Sequence, residues 1–153
     1  IEVAKKKNMT VVVNPAPAKE IPDKILNKID YLVLNQSESE LLTKIYPESQ
    51  VECNSVVSKL RKYGVKNIII TLGKEGAYYA VDNLEGLIPT IDVEVVDTTG
   101  AGDTFIGMLV FGLWKGYEIK DVMQYSVVAG ALACTKENAH DYVPTLREIE
   151  EEL

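Results

Sequence analysis

VVDTTGAGDTF, running from Val95 to Phe105, is the stretch that decides how this chain reads. A β-branched run stops, small residues turn the chain, and an apolar segment with helical spacing begins. Gly100 and Gly102 carry no side chain that could block an approaching ligand. The first N–H groups of a helix have no partner inside it, so such a turn can aim several amides at an anion. Asp103 is out of place in a plain phosphate site, because a carboxylate repels phosphate. It makes sense if it accepts the proton of an attacking hydroxyl while the amides stabilise charge on the transferred group. The segment alone leaves a second role open, in which Asp103 caps a helix and the glycines merely make the turn. No lysine follows the glycines, so this is not a Walker loop.

Outward from this turn, strands alternate with helices, the pattern of a largely parallel sheet covered by helices. Upstream, Thr10 to Val13 predicts a short strand halted by Pro15 and Pro17. Pro22 opens a helix to about Lys28, with Ile25 and Ile29 on one face. Tyr31 to Leu34 is a strand, and Ser37 to Tyr46 a helix with Ser37 and Glu40 as its capping box. Asn54 to Tyr63 is a helix ended by Gly64. Asn67 to Leu72 is an apolar strand of the doubly buried kind. Gly73 and Gly76 break it before Ala77 to Val81. Short strands are expected at Leu87 to Pro89 and Val93 to Val96. Helices are expected at Asp103 to Lys115, at Ile119 to Cys134 and from Thr145 to Leu153. Residues 1–153 read as one compact unit with no repeat or linker.

Composition restricts the function classes. The chain has 153 residues, 46% hydrophobic and 25% charged, enough for a real core. A formal charge of −7 argues against nucleic acid as a partner. It does not argue against one nucleotide held by local amides and a metal. Cys53 and Cys134 fit no metal or redox spacing and read as reduced thiols of a cytoplasmic protein. The apolar run from Phe105 to Trp114 is too short for a membrane span.

DTTGAGDTF resembles, over nine consecutive residues, the second signature of the ribokinase-like (PfkB) carbohydrate kinases. Other segments fall into register with it. NPAPAKEIPDKIL, from Asn14 to Leu26, resembles a segment characteristic of ribokinases. YLVLNQSESELLT, from Tyr31 to Thr43, resembles the family's Asn-x-x-Glu segment. ITLGKEGAYY, from Ile70 to Tyr79, resembles its Thr-Leu-Gly-x-x-Gly nucleotide loop. The resemblance covers essentially the whole chain. It implies an α/β fold, the carboxyl-terminal portion of a Rossmann-like three-layer sandwich, and an ATP-dependent sugar kinase.

By that resemblance Asp103 is the catalytic base, and Gly100, Ala101 and Gly102 form an anion hole with the Asp103 amide. Asn35, Thr71, Gly73 and Gly76 line the nucleotide, with Gly102 beside its phosphates. Glu38 holds Mg2+ through water, since a carboxylate near phosphate needs an intervening cation. Asp97 and Thr99 help to hold a monovalent cation. The alternative for Asn35 is simple capping, and for Glu38 a solvated carboxylate. Where ribokinases usually carry glycine and serine, the loop after Cys134 has Asn138 and Tyr142, which leaves K+ activation open. Val127 stands where relatives often carry a polar residue near adenine. His140, the single histidine, is read as a bystander in that loop.

Complete members of the family are about twice this long, and their amino-terminal half carries most sugar-binding residues and a β-sheet lid. A chain that opens on Ile1 is therefore expected to be a piece of such a kinase, nearly inert alone and without a lid-mediated dimer. The ribokinase-type segment points to D-ribose as substrate and ribose 5-phosphate as product. Fructose, 2-keto-3-deoxygluconate and nucleosides are the alternatives within the family, and a nucleotide-binding module without turnover is the alternative outside it. Dinucleotide binding is disfavoured, because Asp103 directly follows the glycines and no second acidic residue stands at a strand end about 20 positions on.

Overall fold

A computed structural model describes residues 1–137 and 142–153. They form two compact units where the sequence suggested one. The first comprises Ile1–Gly73 with Ala77–Leu87, and the second Lys74–Gly76 with Ile88–Leu153.

The first unit is built on a sheet ordered β1 (Val12–Val13), β2 (Tyr31–Leu34), β3 (Asn67–Thr71), β4 (Ala77–Val81) and β5 (Leu84–Ile88). The first three strands are parallel and β4 runs antiparallel to β3. Parallel neighbours need long crossovers. Here α2 (Asp23–Leu26) joins β1 to β2, and α3 (Gln36–Thr43) with α4 (Gln50–Arg61) joins β2 to β3; α1 (Glu2–Lys6) precedes them all. Leu32, Leu34, Ile68 and Ile70 enter one core cluster, while Val33 and Ile69 on the opposite face are also buried. That double burial is why β2 and β3 read as continuous apolar runs. Cys53, Val56, Val57 and Leu60 of α4 recur at helical spacing and fill the same cluster.

Several boundaries differ from the sequence reading. NQSESE holds two overlapping cap signals, Asn35 with Glu38 and Ser37 with Glu40. The first is used, because β2 pairs through Leu34 and leaves Asn35 as the first residue beyond the ladder. Helix α4 starts at Gln50, capped by Ser49; its first turn is mostly polar and largely exposed, so apolar periodicity could not reveal it. In α2 and just beyond it, the buried residues are Leu26 and Ile29. The expected strand at Val93 to Val96 does not form. The N–H groups of Val96 and Asp97 both donate to the carbonyl of Cys134, at 2.8 and 3.2 Å, and not to a neighbouring strand.

The second unit is helical: α5 (Ala101–Lys115), α6 (Ile119–Ala133) and α7 (Leu146–Glu151). Met108, Val128, Ala129 and Ile149 form one core cluster in it, with Ile91, Phe111, Tyr125 and Leu132 packed against them, and Phe105, Leu109, Val122 and Met123 are buried as well. Small residues let α5 and α6 approach closely. A β-carbon at Gly112 would lie 2.9 Å from Val122 Cγ2, and one at Gly130 would lie 3.3 Å from the Ala101 carbonyl oxygen. The second contact seats the first turn of α5. Among the described residues, no helix is long and apolar enough to cross a membrane.

Gly112→Ala separates helix propensity from packing. Propensity favours alanine by about 1 kcal/mol. Overpacking against the stiff Val122 costs about 1–3 kcal/mol. Thermal unfolding of Gly112→Ala should show a lower midpoint, and Val122→Ala in the same chain should relieve part of the loss. A raised midpoint in the single variant would refute the close contact.

Candidate functional site

In an α/β sheet, backbone pairing ends at the carboxyl edges of the parallel strands, and ligands bind there. In the first unit that edge gathers Asn14 after β1, Asn35 after β2 and Thr71 at the end of β3. Asn35 Oδ1 accepts the Glu38 N–H at 2.8 Å, and Glu38 Oε2 accepts the Asn35 N–H at 2.8 Å, a reciprocal cap on α3. Asn14 Nδ2 donates to the Val33 carbonyl and to Glu38 Oε2, both at 3.0 Å. The Thr71 hydroxyl donates to the Leu34 carbonyl at 3.4 Å.

Glu38 is 3% exposed, so the solvated alternative does not describe it. Its two oxygens are used differently. Oε2 takes both hydrogen bonds, and Oε1 has no partner among the described residues. No fully enclosed side-chain nitrogen or oxygen lacks a partner among them, so Oε1 retains access to solvent. A hard oxygen held rigidly, with one face open, fits Mg2+ that keeps most of its waters and needs only one or two carboxylates. No group of three or more His, Cys, Asp or Glu able to cage a metal exists among the described residues.

Beyond β3 the chain enters a 3-10 turn, Gly73–Glu75. A β-carbon at Gly73 would meet nothing within 4 Å, so the backbone there is open to approach. Gly76 belongs to the second unit and has a different reason to be glycine. Its φ is +92°, and a β-carbon would stand 2.0 Å from the Ile88 carbonyl oxygen. Backbone packing alone demands glycine there.

The turn before α5 is hung on α6 by the two bonds to the Cys134 carbonyl. Asp97 Oδ1 accepts the Thr99 N–H at 2.9 Å, which bends the chain into Gly100. Gly100 is the N-cap in the left-handed region, at φ +77°, and no side chain caps the helix. The Ala101 N–H bonds to the Thr98 carbonyl at 3.3 Å. The amides of Gly102 and Asp103 have no acceptor among the described residues. A β-carbon at Gly102 would meet nothing within 4 Å.

Asp103 does not cap α5. Glu38, Glu52 and Glu148, three residues past their N-caps, fold back onto the starts of α3, α4 and α7. The shorter Asp103 leaves its carboxylate exposed and without a partner among the described residues. It lines a cleft of 730 Å³ within the second unit. Thr99, Gly100, Thr104, Met108, Phe111 and Ile149 are among the other residues that line it. A carboxylate on a cleft wall beside helix-start amides can accept a proton from a bound hydroxyl while the amides hold an anion.

The structure thus places Asn35, Glu38, Thr71 and Gly73 in one unit and Gly76, Asp97, Thr99 and Gly100 to Asp103 in the other. Asn14 had no assigned role in the sequence reading; the clue was its position directly after a strand and before a proline. Val127 is buried in α6. The Tyr142 hydroxyl donates to Glu148 Oε1 at 3.3 Å, at the start of α7. Asn138 and His140 lie outside the described residues.

Comparison with known proteins follows the same lines. Residues 1–146 match the pfkB family of carbohydrate kinases. A ribokinase of Staphylococcus aureus (strain COL) is 38% identical over 149 residues, covering 97% of this chain and 49% of that protein. The Arabidopsis thaliana ribokinase complexed with ribose and ATP superposes with a TM-score of 0.91 at 26% identity, over 98% of this chain and 49% of that one. A ribokinase II-type structure from E. coli in complex with ATP and Mg2+ gives 0.82 at 26%, over 98% of this chain and 50% of that one. The chain spans about half the length of these relatives.

Two glycines of the site should respond oppositely to alanine. Gly76→Ala should lose about 2–4 kcal/mol through left-handed strain and overlap with Ile88. Gly102→Ala should hold its stability or gain up to about 1 kcal/mol from helix propensity. Chemical denaturation measures both, and equal losses would disprove the distinction between a packing glycine and an open one.

Proposed function

Because this chain belongs to the pfkB family of carbohydrate kinases, we propose that it forms the nucleotide-handling, base-bearing part of an ATP-dependent sugar kinase acting on D-ribose. The observation that carries the reading is Asp103: an exposed carboxylate on a cleft wall, not spent on capping, beside helix-start amides that have no acceptor among the described residues. Ribose is favoured by the NPAPA segment and by relatives named ribokinase.

In the proposed reaction the Asp103 carboxylate takes the proton of the sugar hydroxyl as its oxygen attacks the γ-phosphorus of ATP. The bond from phosphorus to the bridging oxygen breaks, and ADP leaves. Charge on the transferred group is stabilised by the amides of Gly102 and Asp103, with Gly100 and Ala101 shaping the turn. Asn35, Thr71, Gly73 and Gly76 are assigned to the nucleotide. Glu38 is assigned to Mg2+ through water, and bound Mg2+ would supply charge neutralisation at the phosphates. Asp97 and Thr99 are assigned to a monovalent cation, K+ being the candidate.

A second reading takes residues 1–153 on their own, about half of the relatives' length, as a nucleotide-binding module without turnover. Phosphoryl transfer depends on positioning and water exclusion as much as on the base.

Calorimetry with ADP and ATP, with and without Mg2+ and in K+ against a large organic cation, comes first. Saturable binding that weakens in Gly102→Leu supports the nucleotide site; no binding at millimolar nucleotide removes it from this chain. In a protein joining this chain to the other half of a ribokinase-like fold, Asp103→Asn should cut transfer by about 10²–10⁴ and leave ADP affinity unchanged. Undiminished transfer would eliminate Asp103 as the base.

A further inference from the structure

We infer that Asn14 is a positioning residue for the metal–phosphate end of the site, acting through Glu38. The inference rests on the proposed assignment of Glu38 to hydrated Mg2+. Asn14 lies directly after β1, and Glu38 lies in the first turn of α3, 24 positions on. Its amide nitrogen faces two acceptors, the Val33 carbonyl and Glu38 Oε2. Both demand a hydrogen, so the nitrogen and not the oxygen of the amide must stand there. The Val33 carbonyl fixes the amide, and the amide then fixes the carboxylate.

The consequence is directional. The terminal torsion of a glutamate is soft and nearly two-fold. With the Asn35 N–H as its single donor, the carboxylate could turn about that bond and exchange its oxygens. The Asn14 amide adds a second donor to the same oxygen, at 3.0 Å beside the first at 2.8 Å. Oε2 is then committed to the protein, and Oε1 is the oxygen left facing outward. For an ion gripped through water by few protein groups, the orientation of one oxygen sets much of the affinity. Asn14 also ties the end of β1 to the start of α3, so a purely structural role is the competing explanation.

Calorimetric titration of ADP, with and without Mg2+, separates the two. Asn14→Ala and the volume-matched Asn14→Leu should keep metal-free ADP affinity and reduce the Mg2+-linked gain by about tenfold, the usual scale for a group that orients a metal ligand. Water-proton relaxation with Mn2+ as probe should show the same loss, and a thermal melt checks folding. An equal fall with and without Mg2+ would make Asn14 structural and overturn the proposal. Intact linkage in both Asn14 variants, with linkage lost in Glu38→Gln, would overturn the positioning role alone. Intact linkage in Glu38→Gln, or none in the unmodified chain, would overturn the Mg2+ assignment and the role of Asn14 with it.

Discussion

Every backbone N–H and C=O that leaves a ladder or enters a helix must find a partner, and the site-forming segments of this chain are answers to that demand. Inside β2 and β3 the groups pair with neighbouring strands, and both faces are sealed by apolar side chains. Nothing polar can enter there. Polar chemistry is displaced to the first residues past the ladder, where Asn14, Asn35 and Glu38 stand. Their side chains satisfy backbone groups and one another, and one carboxylate oxygen is left over.

The helix starts show two solutions to one problem. At α3, α4 and α7 a side chain at the N-cap and a glutamate three residues on close the end of the helix. At α5 the N-cap is glycine and the residue three on is aspartate, one methylene shorter. Neither closes the end, and the first amides and the carboxylate stay available. A helix end left open in this way gives up the stability a cap supplies, about 1 kcal/mol. The loss is offset by anchoring of the turn to Cys134, by the Asp97 bond to Thr99, and by the close seat of Gly130 under the first turn.

The glycines illustrate why a motif and a role are different things. Gly73 and Gly76 occupy matching places in a nucleotide-loop pattern. One has open space where a side chain would be, and the other is pressed against the Ile88 carbonyl. A pattern of letters records both needs alike, since glycine answers steric crowding and ligand approach equally well.

From the sequence by itself came the alternation of strands and helices, the span of β2, the glycine-rich entry to α5 and the family resemblance. These rest on local periodicity, on turn chemistry and on a nine-residue match, all of which act over short stretches of chain. Tertiary structure decided which of two overlapping capping boxes forms, because pairing of Leu34 with Ile70 sets where β2 ends. It decided that Val93 to Val96 is not a strand, because Val96 and Asp97 are claimed by one carbonyl 37–38 residues away. It also decided that Asn14 holds Glu38. Bonds between residues distant in sequence leave no period and no spacing for a reader of the chain to find, and only the folded backbone brings them within 3.0 Å.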